Sequence, residues 1–357
     1  MFIDFSFLAT KEVLIYDQVS LPILKHIFKN KDYNVYYNRM ERVNFWILIF
    51  TLFKFKFSNF KELKKQYKKN YIYSCSPKII ITFIDNNPAF FELKSIYPKA
   101  TTICIQNGIR KKNDLKIFKK NKNYFCDYFF VFSRYYKKFF SKIIKSKYIE
   151  SGSIKMNEYK KRTFDRKKEI LFISQTPSNS LKLEKIEKFL IENLIGICTT
   201  TKLVLNILCK KNIKQILIKE FKQIEPENIT ETDAQFLPYK LIQKYELKIF
   251  VDSTLGLESL AIGEKALAIP IGCKNKHLAR FKTKRKVEKF GYPSHLADQG
   301  YCWNNDFEYS VIKMKILKLI NLKRLTWNKI HKKEKFMNYD AGNKKLRNIL
   351  KEKKISL

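Results

Sequence analysis

The feature that most restricts this chain is the form of its apolar runs. "EVLIYD", "KIIITFIDNN", "ATTICIQNG", "YFFVFS", "EILFISQ", "LKIFVDS" and "KALAIPIG" are unbroken stretches of β-branched and aromatic residues. A strand with one wet face alternates apolar and polar residues. A strand covered on both faces does not need to, and such strands build parallel sheets flanked by helices. Helical patterns separate the runs, as an α/β fold requires. The alternation occurs twice within 357 residues, too much chain for one core, so two Rossmann-like parallel-sheet domains are expected.

The polar, non-periodic stretch Lys155–Lys168 divides them. The expected domains are 1–155 and 169–325, with residues 326–357 as helices crossing back. The same reading puts strands at "KQILIKE" and "DAQFLP". It puts helices at Leu21–Asn30, from Pro88 to about Tyr97, over "RYYKKFFSKIIKS", and over most of Leu181–Cys209. "FWILIFTLF" reads as a buried helix of the first domain. It is far shorter than the ~20 residues of a spanning helix, and Lys54 and Lys56 interrupt the apolar run beyond Phe53. Its flanking cations make a membrane-surface contact the alternative.

A formal charge of +39, from 72 Lys+Arg against 33 Asp+Glu, suggests an anionic partner. Yet Lys, Ile, Phe, Asn and Tyr are abundant together, as AT-rich codons would make them, and the lysines occupy most polar stretches. With no aromatic–basic RNA motif present, nucleic acid is not the expected partner. An anionic membrane surface is the better candidate. Seven scattered cysteines without a C-x-x-C pair fit a reducing cytoplasm. The four histidines lack ligand spacing, so no metal site is expected. The N-terminus has no signal-peptide pattern, and the expected location is the cytoplasm, at the inner face of the membrane. No P-loop, G-x-G-x-x-G or G-x-S-x-G motif occurs.

Ligands of open parallel sheets bind beyond the carboxyl ends of the strands. In the first half those ends carry Asp17; Asp85 and Asn86; Gln106, Asn107 and Gly108, with Arg110 close behind; and Ser133. In the second half they carry Ser174, Gln175 and Thr176, then Ser253, Thr254 and Gly256, with Glu258 in the following helix. Any one of these reads as a turn or cap residue. Their concentration in both halves points to a cleft. In "VDSTLGLESLAIG" a helix opens near Thr254, where free N–H groups and the positive dipole end can hold a phosphate. Ser253 and Thr254 would add hydroxyls, and Gly256 close approach. Glu258 would accept from a ribose hydroxyl or simply complement the dipole. Gly263 is the expected C-terminal cap.

"STLGLESLAIGEKALAIP" resembles the donor corner of GT-B glycosyltransferases. The ordered series "KIIITFIDNNPAFFEL", "ICIQNGIR", "YFFVFSRYYKKFF", "YIESGSIK", "KFGYPSHLADQGYCW" and "MNYDAGNKKL" resembles a family of bacterial surface-carbohydrate biosynthesis transferases. The resemblance implies an N-terminal half that takes a glycan or lipid-linked acceptor, and a C-terminal half that takes a nucleotide-sugar donor, CMP-linked sugars being one candidate. No cofactor is expected, no D-x-D motif suggests a metal, and a single base in the acceptor half would favour an inverting transfer. Asp85 is the first choice of base and Asp17 the second. Ser174–Thr176, Ser253, Thr254 and Arg110 would meet the donor phosphate. Relatives often carry histidine after the glutamine of Q-x-G, where this chain has Asn107. The alternatives are a polyol-phosphate (CDP-alcohol) transferase and, more distantly, a nucleic-acid-binding protein.

Overall fold

The computed structural model describes residues 2–28, 33–54, 59–119, 122–159, 165–232, 237–271, 287–293, 296–332 and 335–355. The chain forms two compact units. The first comprises Met1–Asn107, Lys112–Ile154 and Asn343–Leu357; the second comprises Gly108–Lys111 and Lys155–Gly342.

In the first unit the strands are β1 (Phe2–Asp4), β2 (Val13–Tyr16), β3 (Tyr33–Tyr36), β4 (Arg42–Asn44), β5 (Ile79–Thr82), β6 (Thr101–Ile105), β7 (Tyr124–Val131) and β8 (Ile144–Glu150). Six form one sheet in the order β3-β2-β5-β6-β7-β8. Every neighbouring pair in it is parallel, with Val13 opposite Ile79 and Ile79 opposite Thr101. All residues of β2 and β5 are buried, which is why their sequences need no alternation. β1 and β4 form a separate parallel pair. One side of the large sheet is covered by Leu24, Ile27 and Phe28 and by the chain's last segment. There Leu346, Ile349, Leu350 and Ile355 join Val13, Ile15, Ile79 and Ile103 in one core.

In the second unit the strands are β9 (Lys167–Ile173), β10 (Leu205–Cys209), β11 (Ile229–Glu231), β12 (Tyr245–Phe250), β13 (Ala266–Ala268), β14 (Gln299–Gly300) and β15 (Trp303–Asn304). Their order is β11-β10-β9-β12-β13-β15-β14, parallel except for the β14–β15 pair. The helix Thr254–Ala261 leaves β12 through an extended Ser253. It stops before Gly263, whose φ of 83° is open to glycine at little cost.

Several expected elements differ. "KQILIKE" is the helix Lys214–Glu220; seven apolar-rich residues fit either state, and Ile213 and Leu217 bury the spacing of a helical turn. The long helix ends at Thr201, and its expected tail is β10. Lys202 takes a left-handed φ of 55° there, which stops the helix without a glycine. The helix after β7 ends at Phe140 and the chain re-enters the sheet as β8. The helices expected at Leu21–Asn30 and Pro88–Tyr97 contract to Leu21–Leu24 and Leu93–Ile96. Four residues of "DAQFLP", together with Cys273, His277 and His295, lie outside the described residues. The helix Phe45–Lys54 exists but is not buried: Trp46, Phe50, Leu52 and Phe53 are exposed.

Candidate functional site

Each large sheet reverses its strand order between two parallel inner strands, and a ligand crevice lies at such a reversal. In the first unit it falls between β2 and β5. Asp17 ends β2 with a φ of 84°, its N–H donating to the Tyr36 carbonyl and its Oδ1 accepting from the Val19 N–H at 3.0 Å. It therefore caps the short turn Gln18–Ser20. Ser20 Oγ accepts from the Phe83 N–H at 2.8 Å, and Thr82 Oγ1 donates to the Tyr16 carbonyl at 3.0 Å. These two bonds lock the strand ends together. Asp85 follows β5, fully buried, with Oδ1 accepting from the Asn107 N–H at 3.3 Å. Asn86 beside it is exposed.

Gln106 ends β6 and its Oε1 accepts from the Phe132 N–H at 2.9 Å, joining the ends of β6 and β7. Ser133 follows β7 as the N-cap of the helix Arg134–Phe140 but makes no capping bond. Its hydroxyl is buried without a hydrogen-bond partner among the described residues. Because the strands are parallel, Asp17, Asp85, Gln106, Asn107 and Ser133 share one edge of this sheet.

In the second unit the reversal lies between β9 and β12. Gln175, after β9, extends Oε1 to the Asp252 N–H at 3.3 Å and so ties the two strand ends across it. This repeats the device of Gln106. Ser174 and Thr176 are held by a residue that the motifs did not single out. The Glu187 carboxylate, wholly buried, accepts from Ser174 Oγ at 2.6 Å, the Gln175 N–H at 2.7 Å and Thr176 Oγ1 at 2.9 Å. Both hydroxyl protons are thereby directed at Glu187, while Ser174 Oγ accepts from the Thr176 N–H and Thr176 Oγ1 from the Glu184 N–H, both at 3.3 Å, so these buried residues build a rigid loop. Its signal was a carboxylate on the same helical face as Ile186, Leu190 and Ile191.

At the mouth of the Thr254–Ala261 helix, Ser253 is the N-cap, yet its side chain makes no capping bond. Thr254 Oγ1 accepts from the Ile109 N–H at 3.3 Å. A hydroxyl that accepts keeps its own proton for another partner. Gly108 sits close by: a Cβ there would lie 3.7 Å from Thr254 Oγ1 and 4.0 Å from the Arg110 guanidinium. Lys111 pairs with Asp252 at 2.9 Å. The helix's free N–H groups thus lie close to the Arg110 guanidinium and to the Lys111–Asp252 ion pair, and the helix mouth with Arg110 is a setting for an anion. Glu258, nearly buried, accepts from the Tyr239 hydroxyl at 3.1 Å, and Tyr239 stacks on Tyr159. Gly256 serves packing: a Cβ would lie 2.3 Å from the buried Phe250 ring.

The model of a family described as "putative O-antigen biosynthesis protein" matches residues 103–354. No curated protein matches the chain. Among solved structures, S. aureus MnaA with UDP is 12% identical, with a TM-score of 0.54 and coverage of 97% of this chain and 98% of that one. UDP-GlcNAc 2-epimerase from Neisseria meningitidis bound to UDP-GlcNAc is 10% identical, TM-score 0.52, covering 95% and 99%. A variant of the wall teichoic acid polymerase TagF is 12% identical, TM-score 0.52, covering 96% and 89%. Identities this low carry the fold alone, and the fold is that of the two-domain GT-B proteins.

Proposed function

The chain belongs to the O-antigen biosynthesis family matched by its residues 103–354, and from that premise we propose that it is a glycosyltransferase of surface-glycan synthesis using a nucleotide-sugar donor. The observation that carries the reading is the helix mouth at Ser253: an N-cap hydroxyl that does not cap, beside Thr254 and the Arg110 guanidinium. That the solved structures of MnaA and the Neisseria epimerase hold UDP or UDP-GlcNAc on the same fold supports a nucleotide-sugar donor.

In this reading the donor phosphate accepts from the first-turn N–H groups and from Ser253 and Thr254, with Arg110 as counter-charge. As the glycosidic bond breaks, negative charge grows on the leaving phosphate, where preorganised donors stabilise it most. Glu258 takes a ribose hydroxyl. Asp85 removes the proton of the acceptor hydroxyl, and a single base of this kind gives inversion. No step calls on a metal.

The test is thermal stability with CMP, CDP, UDP and GDP in turn. One nucleotide is expected to stabilise by about 3 kcal/mol at a hundredfold excess over its Kd. No response to any of the four would remove the reading. With the responding nucleotide's sugar supplied and no acceptor, epimerised sugar would identify a UDP-sugar epimerase instead. Transfer of a phosphoalcohol from a CDP-alcohol would identify a polyol-phosphate transferase. Asp85→Asn should keep the nucleotide response and lose transfer by at least about a hundredfold; normal turnover would dismiss Asp85 as base.

A further inference from the structure

The helix Phe45–Lys54 is apolar on its outer side as well as on its buried side. Its buried side carries Ile47 and Thr51, and Thr51 Oγ1 donates to the Ile47 carbonyl at 2.6 Å while accepting from Asn70 Nδ2 at 2.8 Å. Its outer side carries Trp46, Phe50 and Phe53, spaced four and three residues apart and therefore aligned on one stripe. They are 42%, 49% and 88% exposed. A helix of a globular protein turns such residues inward.

The stripe is extended by the chain's first segment. Phe7 stacks on Trp46 with ring centroids 5.1 Å apart, and Phe5 packs on Phe45 at 5.0 Å. Both remain exposed on their far sides. The Trp46 indole donates to the Phe5 carbonyl at 2.8 Å, so the patch is a built surface. Contiguous exposed aromatic area of this kind marks an interaction face.

The charges around it select the partner. The Lys54 ammonium lies 5.2 Å from the Phe50 ring centroid and the Arg42 guanidinium 5.5 Å from that of Phe2. The acid Asp4 is paired with Arg42 at 3.0 Å. The next helix, Phe60–Cys75, places Lys61, Lys65 and Lys69 outward and contains one acid, Glu62. A second copy of the chain would bring cations against cations. We propose that this face seats on the anionic surface of a bilayer, with Trp46, Phe50, Phe53 and Phe7 at the acyl–headgroup boundary and the lysines among the headgroups. No helix among the described residues is long and apolar enough to cross a membrane, so the contact lies on the bilayer. The inference goes beyond the proposed function, and its test needs no enzymatic activity.

The whole chain is mixed with vesicles of phosphatidylglycerol or of phosphatidylcholine and sedimented. Binding to the first and about tenfold weaker binding to the second is expected, weakening further in salt. Of the three tryptophans, Trp303 and Trp327 are buried and contribute a constant background, so a change in emission on contact with a bilayer reports on Trp46. Its emission should shift to the blue on phosphatidylglycerol and be quenched by brominated acyl chains. Phe50→Ser with Phe53→Ser should weaken partitioning at least about tenfold at unchanged Tm, since both rings are exposed. Failure to bind phosphatidylglycerol, or binding without quenching in the unsubstituted protein, overturns the proposal. So does a dimer in solution that the double variant breaks, which would make the occupant a second copy.

Discussion

Ser253 separates a structural hydroxyl from a functional one. An N-cap serine replaced by alanine ordinarily loses about 1 kcal/mol, which for a unit of this size lowers Tm by roughly 2–4 °C. Ser253 makes no capping bond, so Ser253→Ala should move Tm by less than about 1 °C. Adding Thr254→Ala removes the acceptor of the Ile109 N–H and should cost about 1 kcal/mol. If a phosphate sits there, the double variant raises the Kd of the responding nucleotide by about tenfold to a hundredfold, read by calorimetry. Unchanged affinity would return both hydroxyls to the turn. At this scale the sequence showed which residue types end the strands, because strand ends are polar whatever the fold. It could not show that Ser174 and Thr176 point at Glu187. That contact depends on how a helix thirteen residues away is rotated against the sheet.

At the scale of elements, one buried carboxylate secures the base of the second sheet. Glu264 sits in the turn between the Thr254–Ala261 helix and β13. It pairs with Lys248 of β12 at 3.2 Å, Arg166 before β9 at 3.0 Å and Arg324 of the helix Arg324–His331 at 2.7 Å. Burial alone would raise its pKa, but Lys248, Arg166 and Arg324 outweigh burial and hold it down at about 2. Lys248 answers to burial first, which with Arg324 nearby outweighs the pull of Glu264 and brings its ammonium down to about 8.

For Glu264 the folded pKa lies below the unfolded one. Its stabilisation is therefore complete above pH ~4.5 and is lost as pH falls towards ~2, a total of about 3 kcal/mol. Glu264→Gln should lower stability near neutrality by roughly 3 kcal/mol and flatten the decline between those pH values. Urea unfolding at a series of pH values measures both, and an unchanged acid slope would count against the network. The elements themselves were legible where apolar runs were unbroken, as in β5, β6 and β12. They were misread at Lys214–Glu220 and at β10, where a short apolar run fits either period and the sheet decides.

At the scale of the molecule, the end of the chain completes the core of its beginning. Leu350 is fully buried in the cluster that holds Val13, Ile15 and Ile79. Leu350→Ala should cost the first unit about 2–5 kcal/mol, seen as earlier melting and faster amide exchange in β2 and β5. Unaltered exchange there would mean the tail contributes little. The helix Arg324–His331 belongs to the second unit by contacts, and the return to the first begins at Asn343. Pattern alone had no means of dividing these helices, since both carry basic faces.

Taken alone, the sequence determined the class of fold. Unbroken β-branched runs separated by helical patterns can be buried only in parallel sheets covered on both sides, and that logic is local. It also determined the chemistry available at the strand ends, and by family membership the biosynthetic setting. Tertiary structure decided which of those end residues share an edge, which hydroxyls Glu187 already holds, and that Phe45–Lys54 faces outward. Each of these depends on strand order and helix rotation, which are set by contacts between residues far apart in the chain, and no window of sequence contains them.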